Sequence, residues 1–121
     1  MESNTEKGNF GELLAQKHLR GKGYDILETN WRAGRNEIDI IARSVDSICF
    51  VEVKLRENNW AGAPFSFVGK QKQRSIIRAA DRYLRSVDTG NLNVRFDIVS
   101  IVHNSKYTEI EHLEDAFYPT L

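Results

Sequence analysis

The chain has 121 residues, 40% of them hydrophobic and 28% charged, the ordinary balance of one folded domain and too apolar for wholesale disorder. Seventeen Lys and Arg offset seventeen Asp and Glu, so no overall field marks a nucleic-acid partner. A single cysteine, Cys49, excludes an internal disulfide framework and any cysteine-cluster zinc site, and the longest apolar runs are too short to cross a bilayer. The polar start, Met1 to Lys7, has no apolar segment behind it of the kind a secretory signal needs, so the expectation is a cytoplasmic domain over 1–121 with no membrane partner.

Residues 8–21 predict a helix, with Ala15 and Leu19 on one stripe and Gly21 and Gly23 closing it. Tyr24 to Asn30, holding Ile26 and Leu27, predicts a first strand. A turn over residues 32–36 leads into the isoleucine-rich strand Glu37–Ala42, and Val45-Asp46-Ser47 connects it to Ile48–Leu55, the most strand-like run of the chain. Residues 58–69 form a loop whose Trp60, Phe65 and Phe67 could stack on bases, although packing against the next helix is the commoner fate of such rings. Lys70–Val87 is the clearest helix, and Val94–Val102 and Tyr107–Leu113 are the final strands. The order αβββαββ, with no repeat or linker, predicts an α/β fold with a mixed central sheet flanked by helices.

Charge is segregated beneath the zero total. Residues 58–87 carry Lys70, Lys72, Arg74, Arg78, Arg82 and Arg85 against Asp81 alone, while 88–121 hold six acids against Arg95 and Lys106. At ~100° per residue, most of the bases fall in one sector of the second helix, with Ile76, Ala79, Ala80 and Tyr83 opposite. Such a stripe is usually a solvated face, but it can also collect an anionic ligand. Lys72 is the exception, a base on the packed side. An unpaired buried ammonium is costly, so Lys72 is expected to reach a carboxylate or a cleft.

Alternation in the central strands puts Glu37, Asp39 and Ile41 on one face and Ile38, Ile40 and Ala42 on the other. In the next strand Ile48, Phe50, Glu52 and Lys54 share a face, so Asp39 can approach Glu52 across a short hairpin. Two carboxylates on one face are hard oxygen ligands for Mg²⁺ or Mn²⁺, and a nearby lysine can hold a water and offset phosphorane charge. A lone Asp followed by Glu-x-Lys is more often a solvent-facing ion pair. Here, however, the charges interrupt β-forming runs, and Ile41, Ile48 and Phe50 predict that their face is covered. Glu12, on the stripe of Ala15 and Leu19, can reach the same place as a further ligand or support; equally, it is an acid favoured by the helix dipole. Arg95 and Asp97 share a strand face and predict a structural pair, the scattered His18, His103 and His112 read as surface residues, and Cys49 reads as a buried, inert thiol.

Asp39 with Glu52-Val53-Lys54 in this element order resembles the PD-(D/E)xK nuclease superfamily, and more closely the YraN-like family of small bacterial predicted endonucleases, which is related to archaeal Holliday-junction resolvases. The resemblance runs through Gly8-Asn9-Phe10-Gly11-Glu12, Gly23-Tyr24-Asp25-Ile26-Leu27, Asn30-Trp31-Arg32, Glu37-Ile38-Asp39-Ile40-Ile41-Ala42, Phe50 to Arg56, Lys72-Gln73 and Arg95-Phe96-Asp97-Ile98-Val99. Asn36 departs from it, standing where the family usually has glycine. The resemblance implies a restriction-endonuclease-like αβββαβ core and Mg²⁺- or Mn²⁺-dependent DNA cleavage, with Asp39 and Glu52 as ligands, Lys54 catalytic, and Glu12 and Lys72 supporting the site. In that reading the backbone carbonyl of Val53 joins the ligands, and Lys70, Lys72, Arg74, Arg78, Arg82 and Arg85 meet phosphates. The family suggests branched or junction DNA, and a homodimer follows if two strands are cut symmetrically. The rival readings are a non-catalytic nucleic-acid-binding or assembly module on the same fold, and an RNA or nucleotide phosphodiesterase.

Overall fold

The computed structural model describes residues 4–58 and 68–119. Its elements are α1 (Asn4–Gly21), β1 (Asp25–Ala33), β2 (Asn36–Arg43), β3 (Ser47–Arg56), α2 (Lys70–Ser86), β4 (Asn93–His103) and β5 (Thr108–Phe117). The strands form one sheet in the order β1-β2-β3-β4-β5. All pairings are antiparallel except β3 with β4, so the sheet is mixed. A parallel neighbour needs a crossover rather than a hairpin, and α2 lies in that crossover. This α/β arrangement of a mixed sheet with two helices is consistent with the restriction-endonuclease-like core that the resemblance implied.

The two helices cover opposite faces. Ile76, Ala79, Ala80 and Tyr83 of α2 pack on Ile41, Ile48, Phe50, Phe96 and Ile98, and the Phe96 ring stacks on Phe50 and Phe117 at 5.6 and 5.4 Å between centroids. On the other side Ala15 and Leu19 of α1 pack on Ile40, Ala42, Cys49, Val51, Val99 and Ile101. Each fully buried side chain of the Leu, Ile or Phe kind stabilises the fold by roughly 1.5–3 kcal/mol. The apolar sector of α2 is therefore the face that docks on the sheet. Gly11 brings α1 close to β3: a Cβ at this position would stand 3.2 Å from Leu55 Cβ.

Three boundaries differ from the expectation. The first helix starts at Asn4 rather than near Gly8. The first strand continues past Asn30 to Ala33, and the last continues past Leu113 to Phe117. Both extensions pass a non-glycine residue at positive φ, Asn30 and Asp115, each at 50°. Such a residue shifts the side-chain period, so regular alternation ends while the strand goes on. The β1–β2 hairpin has only Gly34 and Arg35 in its loop, with Gly34 at φ 62°, as a type II′ turn requires of its first central residue. Asn36 is an ordinary strand residue paired with Ala33, so no glycine is needed there. Trp60, Phe65 and Phe67 lie outside the described residues. Among the described residues no helix is long and apolar enough to cross a membrane.

Candidate functional site

The site begins where β2 parts from β3. Their pairing runs from Arg43↔Ile48 to Ile40↔Val51 and stops, although β2 stays paired with β1 back to Asn36. The Val53 amide therefore loses its ladder partner, and it donates instead to Asp39 Oδ2 at 2.8 Å. The N–H and C=O of one strand residue point toward the same neighbouring strand, so the Val53 carbonyl opens into the same gap. Glu52, one residue earlier, faces the α2 side beside Ile98 and is buried.

Two cations converge on Glu52. Lys54, from the same strand face, and Lys72, from the first turn of α2, each place Nζ 3.9 Å from Glu52 Oε1. The start of α2 is anchored by the Gln73 side chain, whose Nε2 donates to the Val68 carbonyl at 2.9 Å. Lys72 thus meets the carboxylate that its position on the packed side of the helix calls for. Glu52 Oε2, by contrast, is buried without a hydrogen-bond partner among the described residues.

Regular alternation does not survive at Asp39, which corrects the expected facing of β2. Ile38 belongs to the cluster under α2 together with Ile41, whereas Ile40 and Ala42 belong to the cluster under α1. On β1, Trp31 packs on the α2 side, its ring 5.3 Å from Tyr83. Both strands exchange faces at one rung, Asn30 opposite Asp39, between the pairs Thr29↔Ile40 and Trp31↔Ile38. Asn30 has a left-handed backbone at this rung, at φ 50°.

Burial pushes the Glu52 carboxyl up to about 7, and the Asp39 charge adds to the effect against the opposing fields of Lys72 and Lys54. Asp39 is raised as well, first by burial; the Val53 amide and the two lysines act against this, and Glu37 with it. Two acids that both resist ionisation, one of them with an orphaned oxygen, are what a divalent cation would relieve. Among the described residues no three His, Cys, Asp or Glu side chains gather closely enough to hold a metal alone. The groups that could hold one are therefore two carboxylates and one backbone carbonyl, hard oxygen donors that suit Mg²⁺ or Mn²⁺ better than a soft metal.

Glu12 reaches this region from the other face of the sheet. Its Oε2 accepts from Asn30 Nδ2 at 3.0 Å, and burial raises its pKa, aided by the charges of Asp39 and Glu37. Lys70, Arg74, Arg78, Arg82 and Arg85 are all exposed along α2. Arg82 extends over the β1–β2 turn, and Arg85 pairs with Asp81 at 3.0 Å.

A second polar cluster lies under the C-terminal end of α1. The fully buried Asp97 binds Arg95 through Nε and Nη2 at 3.0 and 2.9 Å, His112 Nε2 at 2.7 Å and the Asp115 amide at 3.2 Å. Arg95 also donates to the Tyr24 hydroxyl, and Lys22 Nζ meets His112 Nδ1 at 2.7 Å. His112, expected at the surface, has a side chain only 1% exposed: it pairs with Val99 on the α1 side of the sheet, and the Tyr24 ring lies edge-on at 5.6 Å. The Arg95–Asp97 pair is structural and larger than its spacing suggested. Cys49 is buried next to it, its thiol pushed up to about 12 by burial and then by Asp97, and is inert.

Asn30 is the site residue that the strand pattern does not reveal. Its signal is weak: asparagine, the side chain most tolerant of left-handed backbone, inside a β-forming stretch.

Residues 11–101 match the family described as "Uncharacterised protein family UPF0102". The UPF0102 protein of Flavobacterium psychrophilum is 42% identical over 118 residues, which cover 98% of each chain. That of Chlorobium chlorochromatii is 43% identical over 122 residues, 96% of this chain and 94% of the relative. That of Chlorobaculum tepidum is 44% identical over 117 residues, 91% of this chain and 90% of the relative.

Proposed function

The chain belongs to the UPF0102 family, and from the cleft between β2 and β3 we propose that it is a divalent-metal-dependent endonuclease acting on DNA. The observation that carries this reading is Glu52 Oε2, buried near Asp39 with no donor to meet it among the described residues. An orphaned carboxylate oxygen in the core is costly, and a cation held by Asp39, Glu52 and the Val53 carbonyl removes that cost. When bound, Mg²⁺ or Mn²⁺ would supply Lewis acidity toward a phosphoryl oxygen.

The chain's own groups account for the rest. Lys54 lies on the face of Glu52 and donates N–H groups, so it orients an attacking water and offsets charge that builds on the phosphoryl oxygens. Lys72 steadies Glu52 from the helix and, being only half-covered, also meets a phosphate. Lys70, Arg74, Arg78, Arg82 and Arg85 contact successive phosphates, which gives salt-dependent binding with little sequence preference. Branched DNA is the expected substrate, with a homodimer where two strands are cut in symmetry.

The test offers purified protein a panel of linear, flapped and four-way DNAs with Mg²⁺ or Mn²⁺, and RNA as competitor. Cleavage that chelation stops, and that Asp39→Ala and Lys54→Ala abolish while binding persists, is the expected outcome. Binding without cleavage of any substrate would assign the fold to a nucleic-acid-binding or assembly module, and preference for RNA would assign it to RNA hydrolysis.

A further inference from the structure

We propose that Asn30 is a positioning residue of the metal cleft: its left-handed backbone turns the Asp39 rung out of the regular sheet, and its amide aims Glu12 at that rung. The inference rests on the metal-dependent reading above and extends it to a residue outside the Asp-Glu-Lys set.

Three independent observations meet at this residue. Asn30 is at φ 50° in the interior of a strand, where almost any other side chain would be strained. In the register it stands opposite Asp39, and at this rung β1 and β2 both exchange faces. Its Nδ2 then crosses to α1 and donates to Glu12 Oε2 at 3.0 Å. Backbone and side chain thus serve one place: the first frees Asp39 to reach the Val53 amide, and the second fixes an acid from the opposite face.

The type of donor matters. A lysine or arginine at this point would neutralise Glu12. A neutral amide orients the carboxylate through one oxygen and leaves its negative charge for the cleft. Among the described residues no cation pairs with Glu12, and its carboxyl lies near enough to the rung for the Asp39 charge to act on it. Groups that orient a metal's surroundings without binding it typically alter its affinity by about 10–100-fold.

Asparagine 30 can be altered in two ways that separate its roles. Asn30→Gly keeps the left-handed backbone without strain and deletes the amide, whereas Asn30→Ala deletes the amide and strains the backbone. Mn²⁺ alone is titrated into the full chain and followed by electron paramagnetic resonance, with circular dichroism to verify folding. Asn30→Gly is expected to fold as wild type and to bind Mn²⁺ about tenfold more weakly, and Asn30→Ala to bind more weakly still. Glu12→Gln is expected to lose as much as Asn30→Gly, and the double variant no more than either, because Asn30 acts through Glu12. Wild-type affinity in Asn30→Gly, or additive losses in the double variant, would overturn the role of Asn30 and leave the metal site standing. No Mn²⁺ binding by the wild-type chain would overturn both.

Discussion

Asp39 completes the hydrogen bonding of Val53: its Oδ2 accepts the Val53 amide at 2.8 Å, at the point where β2 no longer supplies a carbonyl. The acid of the cleft is thus also part of the sheet. Removing it should have two effects that a well-chosen pair of variants separates. Asp39→Ala leaves the amide unsatisfied and should lower stability by about 1–3 kcal/mol. Asp39→Asn keeps an acceptor oxygen and should unfold near the wild-type midpoint. Both should lose cleavage, since neither retains the charge. Urea denaturation beside a cleavage assay checks this, and equal destabilisation by the two variants would count against the capping role.

Glu52 makes the stability of the metal-free protein depend on pH. Burial pushes its carboxyl up to about 7 in the folded state from an ordinary value of 4.5, so the folded state binds the proton more tightly. Stability from this group is therefore present at low pH and declines as pH rises from about 4.5 to about 7. Glu52→Gln mimics the protonated form. It should stabilise the metal-free protein by about 1–3 kcal/mol at pH 8 and change little near pH 4.5. Mg²⁺ should raise the wild-type Tm at pH 8 far more than at pH 5. Thermal melts of both proteins across this range, with and without Mg²⁺, read all three effects.

Lys54 and Lys72 share Glu52 Oε1 at equal distance, and both lower the Glu52 pKa. Lys72→Ala should therefore push the Glu52 carboxyl higher still, and the activity profile of the variant should move toward alkaline pH. Carbon-detected NMR titration of the Glu52 carboxyl would test it directly; an unmoved titration would mean that Lys72 acts on substrate alone.

Along α2 the exposed cations offer a separable measurement. Arg74→Ala and Arg78→Ala should each reduce the slope of log affinity against log salt by about 1 and weaken all DNA sequences alike. Cleavage at saturating DNA should persist, because neither side chain approaches Glu52. Fluorescence anisotropy at several salt concentrations gives the slopes.

Asp97 works in the opposite direction to Glu52. Burial alone would raise its carboxyl, but hydrogen bonds from His112 and Arg95 and their charges outweigh this and hold it below the ordinary range. Its stabilisation is therefore complete above about pH 4 and is lost as pH falls through the folded pKa. Asp97→Ala leaves the largely covered Arg95 with only the Tyr24 hydroxyl and the more distant Glu114 carboxylate, and should cost about 3 kcal/mol near neutrality. Chemical denaturation at pH 7 and pH 3 should show the deficit shrinking in acid.

Helix α2, strands β2 and β3 and the trio Asp39, Glu52 and Lys54 are legible in the amino-acid order, because each depends on periodicity and short-range spacing. The same spacing leaves Lys72 on the packed side of its helix, needing an anion. What the order alone does not contain is the rung at which the sheet changes faces. At that rung Asn30 has a left-handed φ, which side-chain alternation cannot encode, and Ile38 faces α2 rather than the side of Ile40. His112 is buried by Tyr24 and Asp97, which lie far from it in the chain and come together only in the folded sheet. Local pattern sets where side chains alternate and which faces are apolar; only tertiary packing decides where a strand abandons its neighbour, and the acids of the cleft meet at that departure.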